Sequence, residues 1–285
     1  MRWSPVTNWR AWRDRAMPES KAHVPLTGDA AEHQMRRLTR RSFVTGTAVA
    51  LAGLGTWRWL STAAPEDGVP WPLRRVLRLN QRLAEGLGAP RGLAPTFPVQ
   101  NVRGPARTNG LIGLAGEVDG AGWQVSIQQE GRGRAQTIRL QEIQALPRLD
   151  LGIALMCVEG WSEVMHFGGV RFIDFVTRFG LATRSGRAPD PAGNPQDLFR
   201  YVYLATPDEA YYVGLDMASA LHPQTMLCHT MNWQPLTREH GAPLRLCLPV
   251  KYGYKSLKRI GLIRFQDERP SDYWGDRGYD WYAGL

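Results

Sequence analysis

The chain of 285 residues is 43% hydrophobic and 10% aromatic, enough for one large domain or two modest ones around a packed core. Its net charge of +9 is lopsided: residues 1–60 hold ten Lys and Arg against four Asp and Glu, which leaves 25 basic against 22 acidic side chains in the rest. Nucleic-acid binding needs basic side chains clustered on a folded surface, and a surplus held mostly in a tail, without interleaved aromatics, excludes that partner class.

Thr39-Arg40-Arg41-Ser42-Phe43-Val44 leads into an uncharged run, Thr45 to Trp57, rich in Gly, Ala, Val and Leu. Basic then moderately apolar is the order of an export signal, and the paired arginines resemble the twin-arginine type. The competing reading is a short membrane anchor, but the sixteen residues between Arg41 and Arg58 fall short of the ~20 strongly apolar residues of a spanning helix. Thr62-Ala63-Ala64 is the nearest small-residue cleavage site, and Met35 would be a more ordinary start for such a signal than Met1. The expected division is 1–64, an N-terminal extension with its signal, and 65–285, the folded domain. The protein would then be periplasmic, or membrane-anchored if the signal is not cleaved. Twin-arginine export moves proteins already folded, so the signal independently predicts a cofactor inserted beforehand.

Further along, Leu73, Val76, Leu77, Asn80, Leu83, Ala84 and Leu87 form an i, i+3, i+4 stripe that predicts a surface helix. Residues 89–110, rich in Pro, Gly and Arg, read as an extended loop, and Trp123, Val125 and Ile127 as a half-buried strand. Leu140 to Leu146 predicts one or two helical turns stopped by Pro147, and Leu149 to Val158 an apolar strand reaching Cys157. Helical spacing follows at Val170 to Phe179, a Gly/Pro-rich loop at Ser185 to Gln196, and a strand at Phe199 to Leu204. Asp216 reads as the N-cap of a short helix through Leu221. Extended runs at Thr225 to Trp233, Leu244 to Val250 and Leu257 to Phe265 complete the pattern. With no repeated strand-helix unit, the fold class is α+β.

The three cysteines, Cys157, Cys228 and Cys247, have no zinc-type spacing; one pair could bridge, leaving an odd thiol. Cys228 and Cys247 lie within apolar strands and read as core. Taken alone, Cys157 could be an inert buried thiol, yet Gly160 lets the chain turn so that the sulfur sits at the rim of a sheet. Downstream, His240-Gly241-Ala242-Pro243-Leu244-Arg245 precedes Tyr252-Gly253-Tyr254-Lys255-Ser256-Leu257-Lys258. Arg, Lys, a Ser hydroxyl and turn amides together suit an anionic group, although a solvated basic hairpin would have the same spacing. His166, His222 and His229 share no metal spacing and read as structural. Glu159 reads as the partner of a nearby Arg, and Trp161, Trp274 and Trp281 as core or pocket walls.

Four ordered stretches, residues 157–162, 240–245, 252–258 and the closing Tyr273-Trp274 with Gly278-Tyr279, resemble the sulfite oxidase superfamily of molybdopterin-dependent oxidoreductases. The first stretch is most similar to the periplasmic methionine-sulfoxide reductase catalytic subunits. The resemblance spans about residues 95–282. It implies a sulfite oxidase-type fold of mixed β-sheets with peripheral helices, and a bound molybdopterin whose molybdenum takes Cys157 as its protein ligand, a soft thiolate suited to that centre. It implies that His240 and Arg245 hold the pterin and its phosphate, that Ser256 and Lys258 contact them too, that Asn101 lies near the pterin, and that Tyr279 is the active-site tyrosine beside the metal.

The expected activity is oxygen-atom transfer on a small sulfur-containing or oxyanion substrate. With no haem attachment sequence in the chain, electrons would pass to or from a separate haem protein or cytochrome. Animal and plant sulfite oxidases have Arg-Asn-His where this chain has Gln100-Asn101-Val102, so a cation for sulfite is missing unless Arg103 or Arg107 replaces it. The immunoglobulin-like dimerisation domain of those oxidases has no counterpart before Leu285, and a monomer is expected. The alternatives are an exported binding protein that keeps the fold without catalysis, and a sulfoxide reductase subunit that works only with a membrane haem partner.

Overall fold

A computed structural model describes residues 28–66, 69–86, 92–102 and 104–285. The chain forms two units, residues 1–62 and 63–285. Within the first, the segment carrying Arg40 and Arg41 is one α-helix, α1 (Gly28–Thr62). No helix among the described residues is long and apolar enough to cross a membrane.

The second unit opens with a small hairpin, β1 (Pro65–Glu66) and β2 (Val69–Pro70), then α2 (Trp71–Gly86). The predicted helix is there, but its faces are reversed relative to simple burial of the apolar stripe. Arg74, only 5% exposed, donates to the carbonyls of Glu66 (3.2 Å) and Gly275 (3.1 Å), and Arg78 pairs with the Glu66 carboxylate. These inward polar anchors leave Leu73, Val76 and Leu83 outside, with Leu79 beside them. Leu87 lies outside the described residues.

The rest of this unit is built on two sheets. The first has six strands: β3 (Thr96–Phe97), β6 (Arg148–Met156), β7 (Ser162–Arg171), β10 (Met226–Met231) and β11 (Gln234–Pro235) in the order β11-β10-β7-β6-β3, with β12 (Arg245–Cys247) also paired to β10. The second has the order β5-β4-β13-β8-β9, from β4 (Gln124–Gln129), β5 (Gln136–Arg139), β8 (Tyr201–Ala205), β9 (Tyr212–Asp216) and β13 (Leu262–Gln266). All of these pairings are antiparallel except β13 with β4, so the second sheet is mixed. Short helices α3 (Leu140–Gln144), α4 (Phe172–Arg178) and α5 (Met217–Ala220) lie between strands, and Asp216 caps α5 by accepting the Ser219 amide at 2.8 Å. One apolar core joins Val125, Ile127 and Ile263 of the mixed sheet to Phe172 and Phe175 of α4 and Leu246 of β12. This is the α+β architecture expected from the order of elements.

Two departures have physical causes. The helical spacing at Val170 to Phe179 begins as strand: β7 runs to Arg171 and α4 starts at Phe172. From Met165 to Val170 the strand is buried on both faces, which removes the alternation that marks a half-buried strand. Within the 89–110 loop, Thr96 and Phe97 pair with Ile153 and Gly152; Gly152 is required there because a side chain would strike the Phe97 carbonyl. The three cysteines are unbridged, with Cys228 and Cys247 fully buried between β10 and β12.

Candidate active site

The site starts from one hairpin. β6 and β7 pair to their ends, Met156 opposite Ser162, and residues 157–161 form the tip. The Cys157 amide donates to the Trp161 carbonyl (2.9 Å), the Gly160 amide to the Cys157 carbonyl (3.1 Å), and Gly160 takes φ +86°, a left-handed conformation that glycine adopts without a Cβ penalty. The half-buried Cys157 thiol therefore sits at the sheet rim, facing a cleft of about 190 Å³.

Among the described residues, Glu159 takes no arginine partner. Its carboxylate accepts the Trp161 indole N–H (2.9 Å) and the Asn109 side-chain amide (3.4 Å), and the same amide lies 3.8 Å from Cys157 Sγ. Arg107 covers the Trp161 ring at 4.7 Å, and its own backbone amide donates to Glu163 (3.0 Å).

Across the cleft stand His240, Arg245, Ser256 and Lys258, brought together by loops on either side of β12. Gly241 turns the chain at φ +94°, and a Cβ there would meet Lys258 Cβ at 2.7 Å and the Arg259 amide at 2.9 Å, so the two loops touch only because this residue is glycine. Arg245 is 3% exposed, yet its guanidinium donates only to carbonyls, that of His240 at 3.1 Å and those of Leu246 and Ser256 at 3.5 Å, and stands over the Phe167 ring at 5.1 Å. No carboxylate among the described residues forms an ion pair with it. Lys258 is in the same position chemically: its ammonium donates to the carbonyls of Asn109 (2.7 Å), Gly110 (3.0 Å) and Glu239 (2.7 Å). Burial, then the neighbouring Arg245, pulls Lys258 down to about 8. Burial also lowers His240, helped by the charges of Arg245 and Lys258. A buried cation without a counter-ion is costly unless an anion arrives, and two side by side make a cradle for one. The Ser256 hydroxyl accepts the Leu248 amide at 3.2 Å and borders the same cleft.

Aromatic side chains close the cleft. Trp274 and Tyr279 stand 4.9 Å apart, Tyr254 packs against Tyr279 at 5.8 Å, and the Tyr211 hydroxyl donates to the Tyr254 carbonyl at 2.6 Å. Tyr279 remains 39% exposed, so it forms part of the mouth. A second cleft of about 780 Å³, lined by Gly104, Pro105, Trp233 and Gln234 among others, shares His240 with the first.

Six of the sequence candidates, Cys157, His240, Arg245, Ser256, Lys258 and Tyr279, thus line one cleft. Asn101 ends a 3₁₀ turn, Val99–Asn101, and its side chain lies outside the described residues, as does Arg103. Asn109 is the amide beside the thiol, and no period or motif in the sequence marks it. Lys255 is not in the cradle: fully buried, it donates to Asp272 (2.6 Å) and the Gly214 carbonyl (2.9 Å). Trp161 and Trp274 line the cleft, whereas Trp281 is buried over the Lys255 ammonium at 4.7 Å. His166 is a buried structural residue bonded to Asp150 (2.8 Å) and stacked on Trp233 at 4.0 Å.

Residues 113–274 match the oxidoreductase molybdopterin binding domain. This chain belongs to the molybdopterin-binding oxidoreductase family. It is 30% identical over 251 residues, 87% of either chain, to YedZ1 of Azospira oryzae, provisionally named as a protein-methionine-sulfoxide reductase subunit. It is 39% identical over 125 residues to the protein-methionine-sulfoxide reductase catalytic subunit MsrP of Xanthomonas campestris, a stretch that makes up 43% of this chain and only 38% of that protein. The sulfane dehydrogenase SoxCD of Paracoccus pantotrophus superposes with a TM-score of 0.44 at 15% identity, over 64% of this chain and 46% of that one. The molybdopterin oxidoreductase is thus an enzyme of the sulfite oxidase superfamily that uses molybdopterin. The expectations of fold, of cofactor and of a molybdopterin-dependent oxidoreductase hold, and the binding protein without catalysis is set aside.

Proposed function

We propose that this oxidoreductase reduces sulfoxides, methionine sulfoxide foremost, in the cell envelope, with Cys157 as the protein ligand to molybdenum and electrons delivered by a separate haem protein. The observation that carries the reading is a half-buried thiol facing two cations, Arg245 and Lys258, that lack a carboxylate partner among the described residues. A phosphate-bearing cofactor anchored by sulfur at one end and by cations at the other fits that donor set. Both methionine-sulfoxide reductase relatives support the substrate, and their designation as subunits supports a separate redox partner. The Arg40-Arg41 stretch in α1 supports export by the twin-arginine route, with the folded domain following at 65–285.

In this reading the forked guanidinium of Arg245 and the Lys258 ammonium hold the phosphate, with Ser256 and His240 completing the contact. Asn101 stays assigned to the pterin by resemblance. When bound, the molybdenum supplies two-electron oxygen-atom exchange with the substrate. The chain's own part is binding and orientation. Trp161, Trp274 and Tyr279 give the methyl and methylene groups that flank a sulfoxide sulfur an aromatic wall, and the Tyr279 hydroxyl at the mouth would be the donor to the sulfoxide oxygen. Asn109 holds an amide N–H against Sγ of Cys157 and fixes the thiol relative to Glu159.

The test uses full-length protein produced with its cofactor. Wild type should carry about one molybdenum per chain and reduce methionine sulfoxide with reduced viologen as donor. Cys157→Ser should fold normally, by circular dichroism and melting, but lose turnover. A Cys157→Ser protein with wild-type molybdenum and turnover would remove the thiolate from the mechanism, and sulfite oxidation without sulfoxide reduction would remove the substrate.

A further inference from the structure

The outward face of α2 has no role in the cleft. Leu73, Val76, Leu79 and Leu83 are spaced three, three and four residues apart, which keeps them on one helix face, and they are 44%, 53%, 54% and 55% exposed. A helix on a water-soluble surface ordinarily turns such a stripe inward. Here Arg74 and Arg78 hold the opposite edge to the domain, through the carbonyls of Glu66 and Gly275 and the Glu66 carboxylate, so the stripe is fixed outward by specific bonds.

We infer that this face of α2 docks on an anionic lipid surface. Three observations select lipid over a protein groove. Arg74 and Arg78 are taken up by the domain, but Arg75 and Arg82 are exposed beside the stripe, so the outward side of the helix pairs an apolar strip with positive charge. A helix so divided, apolar along one strip and basic elsewhere, lies in a headgroup layer and does not cross it. Trp71 opens the helix with the Arg75 guanidinium 4.7 Å from its ring, an amphipathic pair of the kind favoured at the boundary between headgroups and acyl chains. In sequence, α2 starts at Trp71, shortly after α1 ends at Thr62, so the helix follows the basic segment that carries the export motif. The docking surface is independent of the substrate assignment, because none of its residues borders the cleft.

The experiment compares full-length wild type with Val76→Asp/Leu79→Asp on phosphatidylcholine vesicles with and without one part in three of phosphatidylglycerol. Partition is read by flotation and its location by hydrogen–deuterium exchange of peptides spanning 71–83. Wild type should bind the anionic vesicles and show slowed exchange over 71–83, while the double variant should bind at least about tenfold more weakly and lose that protection, with viologen-driven turnover unchanged. Because α1 is the same in both proteins, the difference reports α2. Equal partition of the two proteins with unaltered exchange over 71–83 would overturn the inference. So would protection that arises only in membranes containing an integral protein, which would make the occupant a protein.

Discussion

Arg245→Met tests whether the cradle exists for an anion, because it removes the charge and keeps most of the side-chain length. In the structure the guanidinium is 3% exposed and has one good hydrogen bond, to the His240 carbonyl at 3.1 Å; the other two are 3.5 Å long. Two charge-assisted bonds to a phosphate at about 1.5–3 kcal/mol each predict a loss of ~3–6 kcal/mol in cofactor binding, roughly two to four orders of magnitude. Without cofactor the sign reverses. Relief of an uncompensated buried charge is worth about 1–4 kcal/mol, and loss of the His240 bond takes back about 1 kcal/mol. At roughly 2–4 °C per kcal/mol for a domain of this size, the cofactor-free variant should melt at the wild-type temperature or up to ~10 °C above it. Both proteins are made in a host without cofactor synthesis for calorimetry, and in a competent host for molybdenum analysis. A cofactor-free variant that melts ~10 °C lower would make the guanidinium a structural group, and a variant from the competent host with wild-type molybdenum would remove it from the cradle.

Three further perturbations follow from the same geometry. Lys258, held near 8 by burial and then by Arg245, is charged below that pH and neutral above it. An anion that needs the ammonium must then restore the proton, so retention of molybdenum after dialysis should be flat below about pH 8 and fall by up to about tenfold per unit above it; a loss growing toward acid pH would contradict this. Asp272→Asn strands the fully buried Lys255 ammonium and should cost about 3–5 kcal/mol, a drop of roughly 10 °C in melting temperature with turnover per molybdenum unchanged. Asn109→Ala removes the amide 3.8 Å from Cys157 Sγ; a weak hydrogen bond of about 1 kcal/mol corresponds to a one-electron molybdenum potential lower by ~40 mV, read by redox-poised electron paramagnetic resonance, and an unchanged potential would show that the amide serves Glu159 alone.

The parts of the site that could be read from sequence are those whose geometry is local. The tip at 157–161 depends on Gly160 and on hydrogen bonds within five residues, and the approach of residues 241 and 258 depends on a glycine inside a short motif. Asn109 was not legible because its position is set from far away: its carbonyl and that of Gly110 accept the Lys258 ammonium across almost 150 positions of chain. The two lysines of the 252–258 turn look equivalent on paper. The 3₁₀ turn Gly253–Lys255 sends one into the core, toward Asp272, and leaves the other at the cleft. For α2, periodicity identifies the helix but not which side docks, since that depends on Arg74 reaching the Gly275 carbonyl, 201 residues away. The strand β7 was hidden for the opposite reason: from Met165 to Val170 both faces are buried, so that stretch has no alternation to detect.

The parallel pairing of β13 with β4 joins residues 262–265 to 126–129 and fixes an order of events during synthesis. The hairpin bearing Cys157 is complete once residue 171 has been made, but His240, Arg245, Ser256, Lys258 and Tyr279 come about 70 to 110 residues later. A growing chain on the ribosome therefore displays a bare thiol before it has anything with which to grip a phosphate, and the mixed sheet cannot close until the C-terminal strand emerges. Cofactor capture accordingly has to wait for residues 240–279.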